Sequence, residues 1–252
     1  KVWSLIMGFH HQPNLINDGL VLALDAADDT SFSSGSTTWA DLSPNSNDGT
    51  LSLGTMGTVS GSNTISFDNS GTDFVTLSND TTLDIHGSGG YTIETVVFPR
   101  SDSEQYGGII GCSTHTSAGD SANNIFWKLY RSNGNFRLYA KASSGSDFSI
   151  ESQAFAKDNF YHVVAVFNTN QTQASLFVNT VETNNSPVTQ AGTVSIGSAN
   201  IFMGKAIFNV HVHGAEAYYS GEIPIARLYK GKSFTQKEIS HNYNVLKSRF
   251  GL

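Results

Sequence analysis

Apolar and polar positions trade places every few residues along this chain, and the apolar runs are short. They read 20-LVLAL-24, 73-DFVTL-77, 91-YTIETVVF-98, 107-GGIIGC-112, 124-NIFWKLY-130, 135-NFRLYAK-141 and 147-DFSIES-152. The series continues with 160-FYHVVAVF-167, 174-ASLFVN-179, 193-TVSIG-197, 206-AIFNVHVH-213 and 222-EIPIARLY-229. Such β-branched and aromatic runs, bounded by Gly, Ser and Asn, predict strands. The segments 87-GSGG-90, 132-SNG-134 and 143-SSGS-146 supply residues that tolerate positive φ between them. Asn133-Gly134 is the strongest hairpin signal, because both residues enter the left-handed region at low cost. With no helical pattern between the strands, the arrangement is a sandwich rather than a parallel sheet with crossover helices.

The segment 160-FYHVVAVF-167 is apolar on both faces. A period of two puts His162, Val164 and Val166 on one side and Tyr161, Val163, Ala165 and Phe167 on the other. A strand of that kind lies mid-sheet with both sides covered. His162 is read there as a neutral imidazole bonded to a nearby backbone group. One helix is predicted, at the end: Thr235 and Glu238 have capping-box spacing, and Ile239, Tyr243 and Leu246 form an apolar stripe.

Composition narrows the function. The net charge of −7 and the absence of basic runs argue against nucleic acid as a partner. No apolar run approaches the roughly 20 residues that span a bilayer. The single cysteine, Cys112, is read as a small buried apolar residue. The first 18 residues contain the apolar 1-KVWSLIMGF-9, which is expected to act as an arm or edge segment that docks on a neighbour, with residues 19–252 forming one domain. An oligomer or assembly component is the corresponding expectation.

Six segments, in order, resemble the laminin G-like (pentraxin-like) domains of the concanavalin A-like lectin/glucanase superfamily. The pair 160-FYHVVAVF-167 and 176-LFVNTVE-182 resembles that family's W-H-H-V-A-V … L-Y-V-N-G hairpin. Further matches are 65-ISFDNSGTDFVTL-77, 91-YTIETVVF-98, 193-TVSIGSA-199 and 225-IARLYKGKSFTQKEISHNYN-244. The opening 19-GLVLALDA-26 with 39-WADLSPNSNDGTL-51 is similar to members found in tailed-phage virion proteins. The resemblance implies an all-β, two-sheet antiparallel jelly-roll sandwich with one short C-terminal helix. It also implies a virion surface protein, a capsid decoration or tail/fibre component, that binds cell-surface or environmental glycans for adhesion and contacts other virion proteins through the arm. A purely structural decoration role is the alternative. Asn179-Thr180 departs from the family's Asn-Gly, so a longer or altered turn is expected there.

Candidate chemistry follows. A glycosidase needs two carboxylates about 5–5.5 Å apart, and no strand here shows such a same-face set. The protein is therefore expected not to be an enzyme. Tyr218, Tyr219 and Tyr106 are the expected glycan contacts, the first two because they lie in a Gly-flanked insertion. Trp127 is expected in the core. Calcium is common in the family; Asp73, matching the first Asp of D-Y-V, with Asp120 and Asn123, is the candidate ligand set. His211 and His213, two apart on one strand face, form a second candidate metal pair.

Overall fold

A computed structural model describes residues 15–52, 55–59, 61–69, 71–77, 80–85, 89–103, 105–113, 125–142, 147–190, 192–194, 199–207 and 216–252. Asp120, Asn123, His211, His213 and the arm before Leu15 lie outside the described residues.

Two antiparallel sheets face each other, as the alternation requires. The first, of nine strands, is centred on β7 (Tyr91–Pro99). To one side of it lie β12 (Tyr161–Phe167), β13 (Gln173–Val178), and the two-residue strands β14 (Val181–Glu182) and β15 (Val188–Thr189). To the other side lies β19 (Ser220–Lys230), which carries β1 (Leu20–Asp25) and β5 (Ser62–Asp68) in succession along its far edge. Beyond β5 comes β4 (Thr55–Val59). The second sheet has eight strands: β11 (Asp147–Ala154), β10 (Asn135–Lys141), β9 (Ile125–Ser132), β8 (Gly107–Ser113), β16 (Asn200–Met203), β6 (Val75–Leu77), β3 (Gly49–Leu51) and β2 (Thr38–Trp39). A separate ribbon of β17 (Lys205–Ile207) and β18 (Glu216–Tyr218) comes just before β19.

The inward side chains of both sheets make one core that includes Leu22, Trp39, Ile93, Trp127, Leu138, Val163 and Leu228. Aromatic pairs tie the layers together. Phe148 on β11 meets Phe167 on β12 edge-on at 6.0 Å, and Tyr91 meets Trp127 at 6.2 Å. Such pairs add about 0.5–1.5 kcal/mol each beyond simple burial. Trp127 is a core residue as its alternation indicated, and Cys112 is buried, its thiol pushed up to about 12 by that burial.

The strand β12 shows why both of its faces are apolar. Val163, Ala165 and Phe167 enter the core, while Val164 and Val166 face outward under the C-terminal helix α1 (Gln236–Phe250). The helix starts with the expected capping box, Thr235 and Glu238 each satisfying the other's end. Its buried line is Ile239, Asn242, Leu246 and Phe250. Asn242 thus takes the place expected for Tyr243, which is half-buried with its ring 5.9 Å from that of His162.

Turns follow their residues. Asn133 and Gly134 both have positive φ, 50° and 82°, and join β9 to β10 as expected. The turn at Asn179-Thr180 is not lengthened. It remains a two-residue turn, with φ of 47° and 71°. Two outside contacts hold it: the Asn179 side chain accepts from the His162 backbone N–H at 2.9 Å, and Gln236 donates to the Thr180 carbonyl at 2.8 Å. A β-branched residue in the left-handed region is strained by about 1–3 kcal/mol. Thr180→Gly should therefore raise stability by about 1 kcal/mol after the extra chain entropy of glycine is set against the relief of strain. Thermal melts of the two proteins check this; an unchanged or lower midpoint counts against it.

Candidate functional site

Two polar constellations stand out, one on the outer face of each sheet. The first is centred on Glu94, fully buried in mid-β7. Register places Arg227 of β19 directly opposite it, with Val164 of β12 on its other side. Its Oε1 lies 2.7 Å from His162 Nε2, and its Oε2 accepts from the Tyr229 hydroxyl at 2.9 Å and from Arg227 at 3.4 Å. The Asn242 amide, on the helix, donates to both carboxylate oxygens at 3.1 Å. Asn242 Oδ1 in turn accepts from the Ile16 backbone at 3.1 Å.

Burial alone would push the Glu94 carboxyl up. The His162 hydrogen bond, the Arg227 charge and the Asn242 amide outweigh it and bring the carboxyl to about 2. His162 therefore bonds a carboxylate, not the backbone group expected from sequence. Its Nδ1 has no hydrogen-bond partner among the described residues. The tautomer with the proton on Nε2 suits this site, since a bare nitrogen lone pair is cheaper to bury than an unmet N–H. Glu94, His162 and Asn242 have no exposed surface. The cluster lies beneath the helix, away from solvent. It fastens the helix.

The second constellation faces outward from the eight-stranded sheet. The β10 pattern buries Phe136, Leu138 and Ala140 and turns Arg137, Tyr139 and Lys141 out. Register sets Arg137 beside Tyr130 and Tyr139 beside Lys128 on β9. Tyr106, where the chain enters β8, stacks on Tyr130 with centroids 6.2 Å apart and planes at 27°. Its φ is 63°, an uncommon backbone state for a bulky residue. The Lys128 amine sits over the rings of Tyr130 and Tyr139 at 5.2 and 5.1 Å. Tyr139 donates to Asp147 at 2.7 Å, and Arg137 pairs with Glu151 at 2.6 Å.

A second cation–aromatic group lies further along the same sheet. Phe202 on β16 is registered with Gly111 on β8, which is itself registered with Lys128. The Lys205 amine lies 3.8 Å from the Phe74 ring and 4.5 Å from that of Phe202. Both lysines are nearly enclosed, Lys128 being 6% and Lys205 5% exposed. For Lys128, burial lowers the amine to about 7.

The structure separates the expected contact residues. Tyr106 belongs to the aromatic platform. Tyr218 is half-buried, its ring over Gly71 at the sheet rim. Tyr219 is fully buried in the main core, because successive residues point to opposite faces where the chain passes from β18 into β19; it is not presented to a ligand. Asp73 is half-buried near Asp68, and burial followed by the Asp68 charge holds its carboxyl above the ordinary range. Tyr130, Tyr139, Lys128 and Arg137 were passed over in the sequence. Alternation in 135-NFRLYAK-141 marks Arg137 and Tyr139 as outward, but only the register with β9 adds Lys128 and Tyr130.

A laminin G family model, described as the concanavalin A-like lectin/glucanases superfamily, matches residues 69–240, more than half of the chain. The chain belongs to this superfamily. No curated protein matches it. Similar solved structures include the binding domain of Paraclostridial Mosquitocidal Protein 1, with TM-score 0.64 and 14% identity, covering 90% of this chain and 52% of that one. Another is the botulinum neurotoxin serotype D ligand binding domain in complex with N-acetylneuraminic acid, with TM-score 0.65 and 15% identity, covering 91% and 51%. A third is the binding domain of botulinum neurotoxin DC in complex with rat synaptotagmin II, with TM-score 0.64 and 12% identity, covering 92% and 52%. At these identities the likeness is one of fold, and this lectin-like sandwich spans about half the length of each of those chains.

Two outcomes are expected from the site's ionisable groups. Glu94→Gln should destabilise the protein by about 3–5 kcal/mol, since it leaves Arg227 buried without its counter-ion. The wild-type Glu94 carboxyl is lower folded than unfolded, so its stabilisation is full above about 4.5 and fades as pH falls towards about 2. Urea melts across that range should show an acid-side loss that the Gln protein lacks. For Lys128 the charged form is the disfavoured one: its amine is also lower folded than unfolded, so protonation opposes folding, and stability grows as pH rises from about 7 to about 10.5. Lys128→Met should raise stability at pH 7 and flatten that slope; the same slope in both proteins would refute the assignment.

Proposed function

We propose that this chain is a non-enzymatic adhesion module of a virion surface, holding glycans on the outer face of its eight-stranded sheet. One observation carries the reading: Tyr106 is stacked on Tyr130, with Tyr139, Arg137 and Glu151 bordering the pair. Sugars offer apolar C–H faces and a rim of hydroxyls, so they suit aromatic planes edged by charged hydrogen-bonding groups. The backbone strain at Tyr106 is of the kind found where a side chain must be held in place for a ligand.

The neighbours support a binding role, since each is a binding domain and one is in complex with N-acetylneuraminic acid. The virion setting rests on the likeness of 19-GLVLALDA-26 and 39-WADLSPNSNDGTL-51 to tailed-phage proteins, and the apolar arm before Leu15 is assigned to contacts with other virion proteins. Hydrolysis is disfavoured because Glu94 is sealed beneath the helix, while Asp147 and Glu151 already accept from Tyr139 and Arg137. Calcium at the rim belongs to the same reading, with Asp73, Asp120 and Asn123 as ligands. A dication would relieve the repulsion between Asp68 and Asp73.

A glycan array tests the binding site. The wild type should bind, and Tyr106→Ala/Tyr139→Ala should lose at least about tenfold in affinity, roughly 1.4 kcal/mol, while melting near the wild-type temperature. Binding to no glycan leaves the chain a structural decoration. Release of reducing sugar overturns the non-enzymatic reading. A melting temperature that neither added calcium nor chelator shifts removes calcium from it.

A further inference from the structure

Most lysines keep the amine in water and lay only the stem on the protein. Lys128 encloses the amine as well, and strand register is the cause. It lies in mid-β9 with Tyr139 of β10 registered on one side and Gly111 of β8 on the other. A Cβ built on Gly111 would come within 2.9 Å of the Lys128 Cβ, so the lysine stem takes the space that a side chain there would need. Tyr130, two residues further along β9, shares the outer face. The amine ends over both tyrosine rings, at 5.2 and 5.1 Å, and the residue is only 6% exposed.

An amine in such a place differs chemically from a surface ammonium. Tyrosine faces replace most of its water, and desolvation penalises the charged form. The carboxylates at the platform's border are engaged by their own neighbours, Asp147 by the Tyr139 hydroxyl at 2.7 Å and Glu151 by Arg137 at 2.6 Å. The fall of the amine to about 7 agrees with its enclosure. Near neutral pH about half of it is then the free base, against fewer than about one in a thousand for an ordinary lysine. A free-base lysine with apolar walls is the form that attacks a carbonyl carbon.

We infer that Lys128, seated between Tyr130 and Tyr139, is a covalent capture site for small aldehydes, open-chain reducing sugars among them. The Nζ lone pair attacks the carbonyl carbon and forms a C–N bond, while the carbonyl oxygen becomes a hydroxyl by taking a proton from the nitrogen. The C–O bond then breaks, the hydroxyl leaves as water with the second amine proton, and a C=N bond remains. One water is released, and nothing is oxidised or reduced. Tyr139 is half-buried, so the aldehyde enters from solvent past its ring. The two rings then cover the imine and slow its return to free aldehyde. Capture needs only the enclosed amine, so it stands or falls apart from the binding of intact glycans by the platform.

The test incubates the full chain near neutral pH with glyceraldehyde and cyanoborohydride, which reduces imines to stable secondary amines. Peptide masses then report the adduct at each lysine. Early in the reaction Lys128 should carry it at least about tenfold more than Lys237 and Lys247, which are exposed on α1. In urea that preference should vanish, because the fold is its source. Lys128→Met should lose this adduct and keep those at Lys237 and Lys247. A Lys128 modified no faster than the two exposed lysines overturns the inference. So does a Lys128 that stays unmodified, since its enclosure then shuts aldehydes out. A preference that persists in urea overturns it as well. The comparison among lysines uses the wild type, so the test survives a variant that fails to fold.

Discussion

A carboxylate buried in mid-sheet under a helix constrains everything around it. Taking Glu94 out of water costs several kcal/mol before any contact is counted, and that cost must be offset at the same place. Arg227 supplies the counter-charge from the next strand, His162 and Tyr229 supply donors from the two flanking strands, and Asn242 supplies one from the helix. Remove the helix and the carboxylate loses the Asn242 amide while the apolar patches of Val164, Phe98 and Ile225 face water. Helix and sheet therefore stand or fall together.

An apolar stripe alone would hold the helix less specifically. Leucine and phenylalanine contacts tolerate a slide along the sheet, because dispersion and burial are nondirectional. Hydrogen bonds from one amide to both oxygens of one carboxylate do not tolerate it. The layer thus fixes where along β7 and β19 the helix sits, and with it the turn at Asn179-Thr180, which Gln236 grips from the helix's first turn. The left-handed backbone at Thr180 is maintained from outside, by Gln236 and by the pairing of Asn179 with His162.

Local chemistry made much of the architecture readable. The apolar alternation in 135-NFRLYAK-141, the Asn133-Gly134 turn and the Thr235/Glu238 cap each act over a few residues, and each appears in the structure where the pattern put it. What was not readable depends on residues far apart in the chain. Glu94 looked solitary among β-branched neighbours, because its partners lie 68, 135 and 148 positions away. Tyr243 fits the apolar stripe better than Asn242 does, yet the buried carboxylate selects the amide. Tyr218 and Tyr219 showed the same limit, since period two says that neighbours diverge but not which of them turns inward.

The two outer faces of the sandwich answer opposite physical demands. On the nine-stranded sheet the charged group is fully enclosed and held by directed hydrogen bonds from His162, Tyr229 and Asn242. On the eight-stranded sheet the Lys128 and Lys205 amines lie over aromatic rings. A cation over a π-face is held by about 0.5–1 kcal/mol at an exposed site and by about 2 kcal/mol or more when desolvated, as these nearly enclosed lysines are. The same fold thus keeps its strands in register through directed hydrogen bonds at Glu94 on one face, and holds Lys128 by burial among aromatic rings on the other.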